Sequence, residues 1–248
     1  MRTTPADSSH LAHTTRRSFL KSAGIATAAG LLTAAPSPKL AYAAALTKAE
    51  RDKLTPDEII AMMKRGNERF RSGKGTQQDV LAQQIASAKG QFPATVILSC
   101  IDSRAPAETI MDLGIGDAFN ARVAGNIAND DILGSMEFAC AAAGAKVVLV
   151  MGHTACGAIA GAIDNVQLGN LTGLLAKIQP AVKATSYPGD RSGTNSAFVD
   201  AVARRNVELT IENIRKGSSV LIELQAKGAI KIVGAMYDIA SGKVDFYA

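Results

Sequence analysis

Two kinds of apolar pattern run along this chain. The stretches Ala94-Thr95-Val96-Ile97-Leu98-Ser99 and Lys146-Val147-Val148-Leu149-Val150-Met151 are short, unbroken and rich in β-branched residues, so they predict strands covered on both faces. Elsewhere apolar residues recur at helical spacing. Thr55-Pro56-Asp57-Glu58 reads as a helix start, with Thr55 as N-cap, Pro56 in the first turn and Glu58 closing a capping box. Ile59, Ile60, Met63, Asn67 and Phe70 continue that helix until Ser72-Gly73-Lys74-Gly75 ends it. Further helices are expected over 130–143, 169–184, 195–216 and 219–227, with a mixed segment over 118–124. A strand over 229–236, a turn at Ser241-Gly242 and a returning strand over 243–247 close the chain. Strands alternating with helices predict an α/β fold: a mostly parallel central β-sheet with flanking helices and an antiparallel edge strand. Gly73-Lys74-Gly75-Thr76 has a faint look of a phosphate loop, but no strand precedes it, and it reads as a linker.

The first 43 residues read as an address. Arg16-Arg17-Ser18-Phe19-Leu20-Lys21 precedes a weakly apolar run of about a dozen residues, followed by Pro36, Pro38 and Ala41-Tyr42-Ala43. Paired arginines, a weak apolar segment and a small-x-small ending resemble a twin-arginine export signal cleaved near Ala43. The run is too short to span a bilayer, which takes roughly 20 residues, so no stable membrane insertion is expected after cleavage. The expected organisation is a signal peptide over 1–43, an N-terminal helical arm over 44–90 and an α/β catalytic domain over 91–248. The expected location is periplasmic or secreted, with the twin-arginine translocase as a partner during export.

Charge changes the picture little. The 248 residues carry 27 Lys and Arg against 22 Asp and Glu. Five of those bases and one of those acids lie in residues 1–43, leaving 22 against 21. A nearly neutral body with no basic run interleaved with aromatics speaks against nucleic acid as a partner. Three cysteines in so long a chain cannot make a disulfide scaffold. Once His10 and His13 leave with the signal, His153 is the sole histidine.

Cys100 and His153 each follow directly from a predicted strand, and open α/β sheets place their crevice at the carboxyl ends of strands. Cys156 stands three residues after His153, at the turn into a helix. Two thiolates and an imidazole suit zinc, and three protein ligands leave a fourth position, as in a catalytic site. Asp102 is near enough to take that position. Arg104, on the same side of an extended segment, can instead hold Asp102 away from it in a charge-assisted pair. Cys140, within Phe138-Ala139-Cys140-Ala141-Ala142, reads as a buried small apolar residue.

Cys100-x-Asp102-Ser103-Arg104, Arg122-Val123-Ala124-Gly125-Asn126 and Gly152-His153-Thr154-x-Cys156-Gly157-Ala158 resemble the β-class carbonic anhydrases, from about Ile59 to the end of the chain. The resemblance implies that family's fold and a zinc enzyme interconverting carbon dioxide and bicarbonate. It also implies one zinc per subunit and a homodimer or homotetramer with sites at the subunit interface. On this pattern Cys100, His153 and Cys156 are the zinc ligands, and Asp102 and Arg104 the gating dyad. Gln91 contacts substrate across the interface, Phe119 walls the carbon dioxide pocket, and Ala124, Phe138 and Gly157 complete the substrate side. Ala124 and Phe138 stand where the family usually has Val and Tyr, so a hydroxyl is missing. Ile97 and Ala105 replace the Trp and Val of members with a regulatory bicarbonate site. That implies the open subtype, in which Asp102 pairs with Arg104, rather than the closed state with Asp102 as fourth ligand.

With His153 committed to metal, a proton must leave through buffer, water or a carboxylate such as Asp130 or Asp131. Two other functions fit parts of the pattern. Hydrolysis of carbonyl sulfide or carbon disulfide would use the same site on another linear apolar substrate. A zinc-binding protein without turnover would usually have four fixed ligands. A dithiol redox function has no Cys-x-x-Cys pair to support it.

Overall fold

The protein is described by a computed structural model covering residues 45–247. The export signal expected over 1–43 lies outside the described residues. Helices α1 (Lys48–Lys53), α2 (Pro56–Arg71) and α3 (Val80–Ser87) precede strand β1 (Thr95–Ser99). The chain continues through α4 (Ala107–Ile110), β2 (Ala118–Arg122), α5 (Asp130–Glu137) and β3 (Val147–His153). Then come α6 (Gly157–Ile163), α7 (Gly169–Ala176), α8 (Gln179–Ala184), α9 (Ser196–Gly217), α10 (Ser219–Ala226), β4 (Lys231–Tyr237) and β5 (Val244–Tyr247).

The strands form one sheet in the order β2-β1-β3-β4-β5. The first four run parallel and β5 returns antiparallel along β4, as the apolar pattern and the Ser241-Gly242 turn imply. Successive side chains on a strand point to opposite faces. Val96, Leu98, Val148 and Val150 therefore join one core, against α9 residues such as Phe198, Val202 and Val207. Ile97, Val147, Leu149 and Met151 join the other, with Ile59 and Met63 of α2 and Ile110 of α4. Each such side chain taken fully out of water contributes about 1.5–3 kcal/mol, which is why neither strand shows a polar face. No helix among the described residues is long and apolar enough to cross a membrane.

The capping box at Thr55 is present: its hydroxyl accepts from Glu58 N–H, and Glu58 accepts from Thr55 N–H. Two expected helices differ in detail. The single helix over 169–184 is two, α7 and α8, because Pro180 in the first turn of α8 has no N–H to continue the ladder from α7. The helix over 130–143 loosens into a π turn at Phe138–Ala142, where Ala143 N–H donates to the Phe138 carbonyl at 2.9 Å.

Candidate metal centre

Register brings the centre together. Ser99 of β1 lies beside Met151 of β3, so Cys100, one residue on, arrives next to the end of the strand that carries His153. Cys156 is the N-cap of α6, reached from His153 through a two-residue turn. The close approach of α9 to β3 depends on Gly152: a Cβ there would stand 2.7 Å from Val207 Cγ2 and 2.8 Å from Met236 Sδ. On the other side, Gly125 takes φ 67°, which suits glycine, and its N–H points at the Cys100 sulfur at 3.4 Å.

Cys100, His153 and Cys156 are all buried, and their ligand atoms lie within 4.8 Å of one another. The two sulfurs are 4.0 Å apart. Two sulfurs on a tetrahedral zinc at about 2.3 Å would be about 3.8 Å apart, so the spacing already suits the ion. His153 Nδ1 lies 2.9 Å from the Thr154 carbonyl, which can only accept, so Nδ1 carries the hydrogen. That leaves the Nε2 lone pair facing the sulfurs, buried and with no hydrogen-bond partner. A buried acceptor without a partner costs about 1–3 kcal/mol, and a metal ion would satisfy it. The donor set fits zinc.

Electrostatics favour a cation as well. The Cys100 thiol is pulled down, chiefly by its hydrogen bond with Cys156 and despite burial, while Cys156 is pushed up by that same bond and by burial. Zinc would bind both sulfurs as thiolates, so its uptake would release their protons. Burial works against a charged His153 ring, but the neighbouring Cys100 sulfur and the Thr154 carbonyl outweigh it and raise its pKa.

Asp102 and Arg104 stand at the mouth. Arg104 donates from Nε to Asp102 Oδ1 at 3.0 Å and from Nη2 to Oδ2 at 2.7 Å, a two-pronged ion pair. The guanidinium holds the Asp102 carboxyl down at about 2, and Oδ2 lies 3.9 Å from His153 Nε2. The expected pairing is present, but the segment is a turn and not extended. Arg104 N–H also donates to Asp102 Oδ1, and Ala105 N–H donates to the Asp102 carbonyl. This short polar loop has no neighbouring strand to pair with, so it satisfies its amides locally.

Phe119 and Phe138 meet edge to face, centroids 6.0 Å apart and planes at 73°, and line an open groove with Val96 and Ile132. Asp130 and Asp131 border the same groove, both exposed. Ala124 is half-buried at the start of the turn that contains Gly125, and Gly157 opens α6 with no neighbour near its Cα hydrogen. Gln91 is not brought to the centre within one chain. It lies exposed in the loop ahead of β1, beside Ile115 and Gly116, at the opposite end of the sheet from Cys100. Cys140 is buried among apolar neighbours, and burial pushes its thiol up to about 12.

Arg122 has a structural part that its place in the sequence did not disclose. Its Nε donates to the Cys100 carbonyl at 2.9 Å and its Nη2 to the Asp102 carbonyl at 2.6 Å, clamping the loop that carries both side chains. Asn206 on α9 likewise holds the Gly125 carbonyl at 2.7 Å. These contacts join residues 20, 22 and 81 positions apart, and no local pattern announces them.

Residues 95–244 match the sequence pattern of the family described as carbonic anhydrase. The chain is similar to carbonic anhydrase 2 of Mycobacterium tuberculosis, 34% identical over 187 residues that cover 73% of this chain and 87% of the relative. Among solved structures it resembles one of two tetrameric β-carbonic anhydrases from Sordaria macrospora, at 26% identity and a TM-score of 0.57, covering 65% of this chain and 83% of that one. It also resembles a β-carbonic anhydrase of Aspergillus fumigatus, at 26% identity and a TM-score of 0.58, covering 77% and 89%.

Proposed function

The chain belongs to the β-class carbonic anhydrase family and is a carbonic anhydrase enzyme, and from that premise we propose that it hydrates carbon dioxide reversibly with one zinc ion per subunit. Cys100 Sγ, Cys156 Sγ and His153 Nε2 would hold the ion. The observation that carries this reading is the buried His153 Nε2, without a partner and facing two sulfurs. When bound, zinc lowers the pKa of water so that hydroxide is available near neutral pH as the nucleophile toward carbon dioxide.

The chain's own groups supply orientation. Asp102 stays ionised because Arg104 neutralises it, so it accepts the hydrogen of the reacting oxygen and aims a lone pair at the substrate carbon. Arg104 in turn keeps Asp102 from reaching in as a fourth ligand, the open arrangement. Arg122 holds the backbone of Cys100 and Asp102 in register. The groove lined by Phe119 and Phe138 holds none of the three ligands within one chain, but its apolar side chains, with Ala124 and Gly157 close in sequence to the ligand-bearing turns, suit a small linear substrate with no charge. With His153 turned inward, the proton leaves through buffer or through Asp130 and Asp131 at the groove's edge. With zinc held there, the two anionic sulfurs of Cys100 and Cys156 would offset its charge more than imidazoles would, and turnover would rise towards alkaline pH.

Gln91 lies away from its own chain's centre, so the substrate contact expected of it would require a second copy, as in a homodimer or homotetramer; a tetrameric relative supports the same reading. The Arg16-Arg17 leader supports export to the periplasm or beyond. The test is zinc content and carbon dioxide hydration of the full chain, before and after chelation and after zinc is restored. One equivalent of zinc, with hydration lost and regained alongside it, is expected. Undiminished hydration by the chelated, zinc-free protein would overturn the proposal.

A further inference from the structure

His153 ends β3 and Cys156 caps α6, so Thr154 and Ala155 alone must turn the chain between two ligands. Ala155 makes the turn at φ 51°, a left-handed conformation that glycine adopts freely and alanine resists. Its side chain is exposed, so packing of the methyl group does not hold it there. Hydrogen bonds hold it from several sides. Thr154 N–H donates to the Tyr237 carbonyl at 2.9 Å, and Thr154 Oγ1 accepts from Ile239 N–H at 3.0 Å, tying the first residue of the turn to the end of β4. Ala155 N–H donates to Asp200 Oδ1 at 2.9 Å, and the Ala155 carbonyl accepts from Arg104 Nη2 at 3.2 Å.

Asp200 stands on the second turn of α9, flanked by Val199, Val202 and Ala203, all buried in the core. It is therefore a carboxylate on a rigid base, directed at the amide of the strained residue. The linkage continues: Asp200 holds Ala155, the Ala155 carbonyl meets Arg104, and Arg104 holds Asp102. We propose that Asp200 is a positioning residue, which locks the left-handed Ala155 turn so that His153 and Cys156 converge, and which steadies Arg104 and Asp102 through the Ala155 carbonyl. The consequence for metal rests on reading Cys100, His153 and Cys156 as zinc ligands; the lock on the turn does not.

Two measurements on the full chain separate the two. Hydrogen exchange across residues 153–157 of the metal-free protein reports the lock, and competition with a chromophoric chelator reports zinc affinity. Asp200→Ala is expected to speed exchange at the Ala155 amide and to weaken zinc by about tenfold, whereas Asp200→Asn, which keeps an oxygen acceptor, stays within about threefold of the parent. Ala155→Gly placed on Asp200→Ala is expected to recover zinc affinity to within about threefold, because glycine takes the turn without being held. Unchanged exchange in Asp200→Ala would overturn the proposal. So would a loss of zinc affinity that Ala155→Gly does not relieve, since Asp200 would then act through the stability of α9. If the parent takes up no zinc while Asp200→Ala still speeds exchange, the zinc reading fails and the lock stands.

Discussion

Cys140 and the Cys100–Cys156 pair lie at similar depth, at 6%, 4% and 2% exposure, yet they are chemically opposite. Cys140 sits in the π turn after α5 among apolar neighbours, and its thiol is pushed up to about 12 by burial. Cys100 is pulled down because Cys156, His153 and the Gly125 N–H all face its sulfur. Depth alone makes a thiol inert; depth with donors aimed at it makes a ligand. The difference lies in the backbone around each residue. Cys140 sits inside the helical π turn, while Cys100 follows the end of β1 and Cys156 starts α6, where peptide groups are free to point at a side chain.

The contrast breaks most sharply under substitution. Cys100→Ser, Cys156→Ser or His153→Ala is expected to weaken zinc by more than about 100-fold and to abolish hydration, whereas Cys140→Ala keeps both and costs about 1 kcal/mol of stability. Metal analysis with denaturant melts would show it, and zinc loss in Cys140→Ala would erase the distinction. A smaller effect is expected at the mouth. Asp102→Asn keeps zinc but lowers turnover by about 10–100-fold, because an amide no longer accepts in the required direction; full turnover at every pH would remove the orienting role.

The smallest effect is on acid stability. The folded pKa of Asp102, about 2, lies below the unfolded value, so its pairing with Arg104 stabilises the fold above the unfolded carboxyl range. That contribution is lost as pH falls through about 2. Arg104 is largely exposed and water screens the pair, so the parent and Asp102→Asn should differ slightly in stability at pH 5 and converge near pH 2. A difference that persists at pH 2 would place the stabilisation elsewhere.

Much of this was legible because ligands follow strands. An unbroken run such as Val147-Val148-Leu149-Val150 cannot face water, so its end marks a crevice, and His153 stands there. The Asp102–Arg104 pair was legible from its spacing, though its turned backbone was not, since local amide bonds decide it. Helix α1 carries its own signature in Thr47 and Glu50, a capping box that a six-residue helix makes easy to overlook. Helix α3 is harder to read: Leu81 and Ile85 are exposed at 67% and 63%, so its apolar positions do not mark its buried side. Arg122 and Asp200 act across the fold, and nothing beside them in the chain indicates their partners.

The pinch at Gly152 makes α9 a depth gauge for the imidazole. Any side chain at that position would meet Val207, whose branched carbon cannot swing aside as the Met236 sulfur can, and would wedge strand and helix apart one residue before His153. Transplanting the centre into another scaffold thus requires more than three donors at the right spacing. It requires a bare backbone immediately upstream of the ring, and a helix seated hard enough against it to fix how far the nitrogen protrudes.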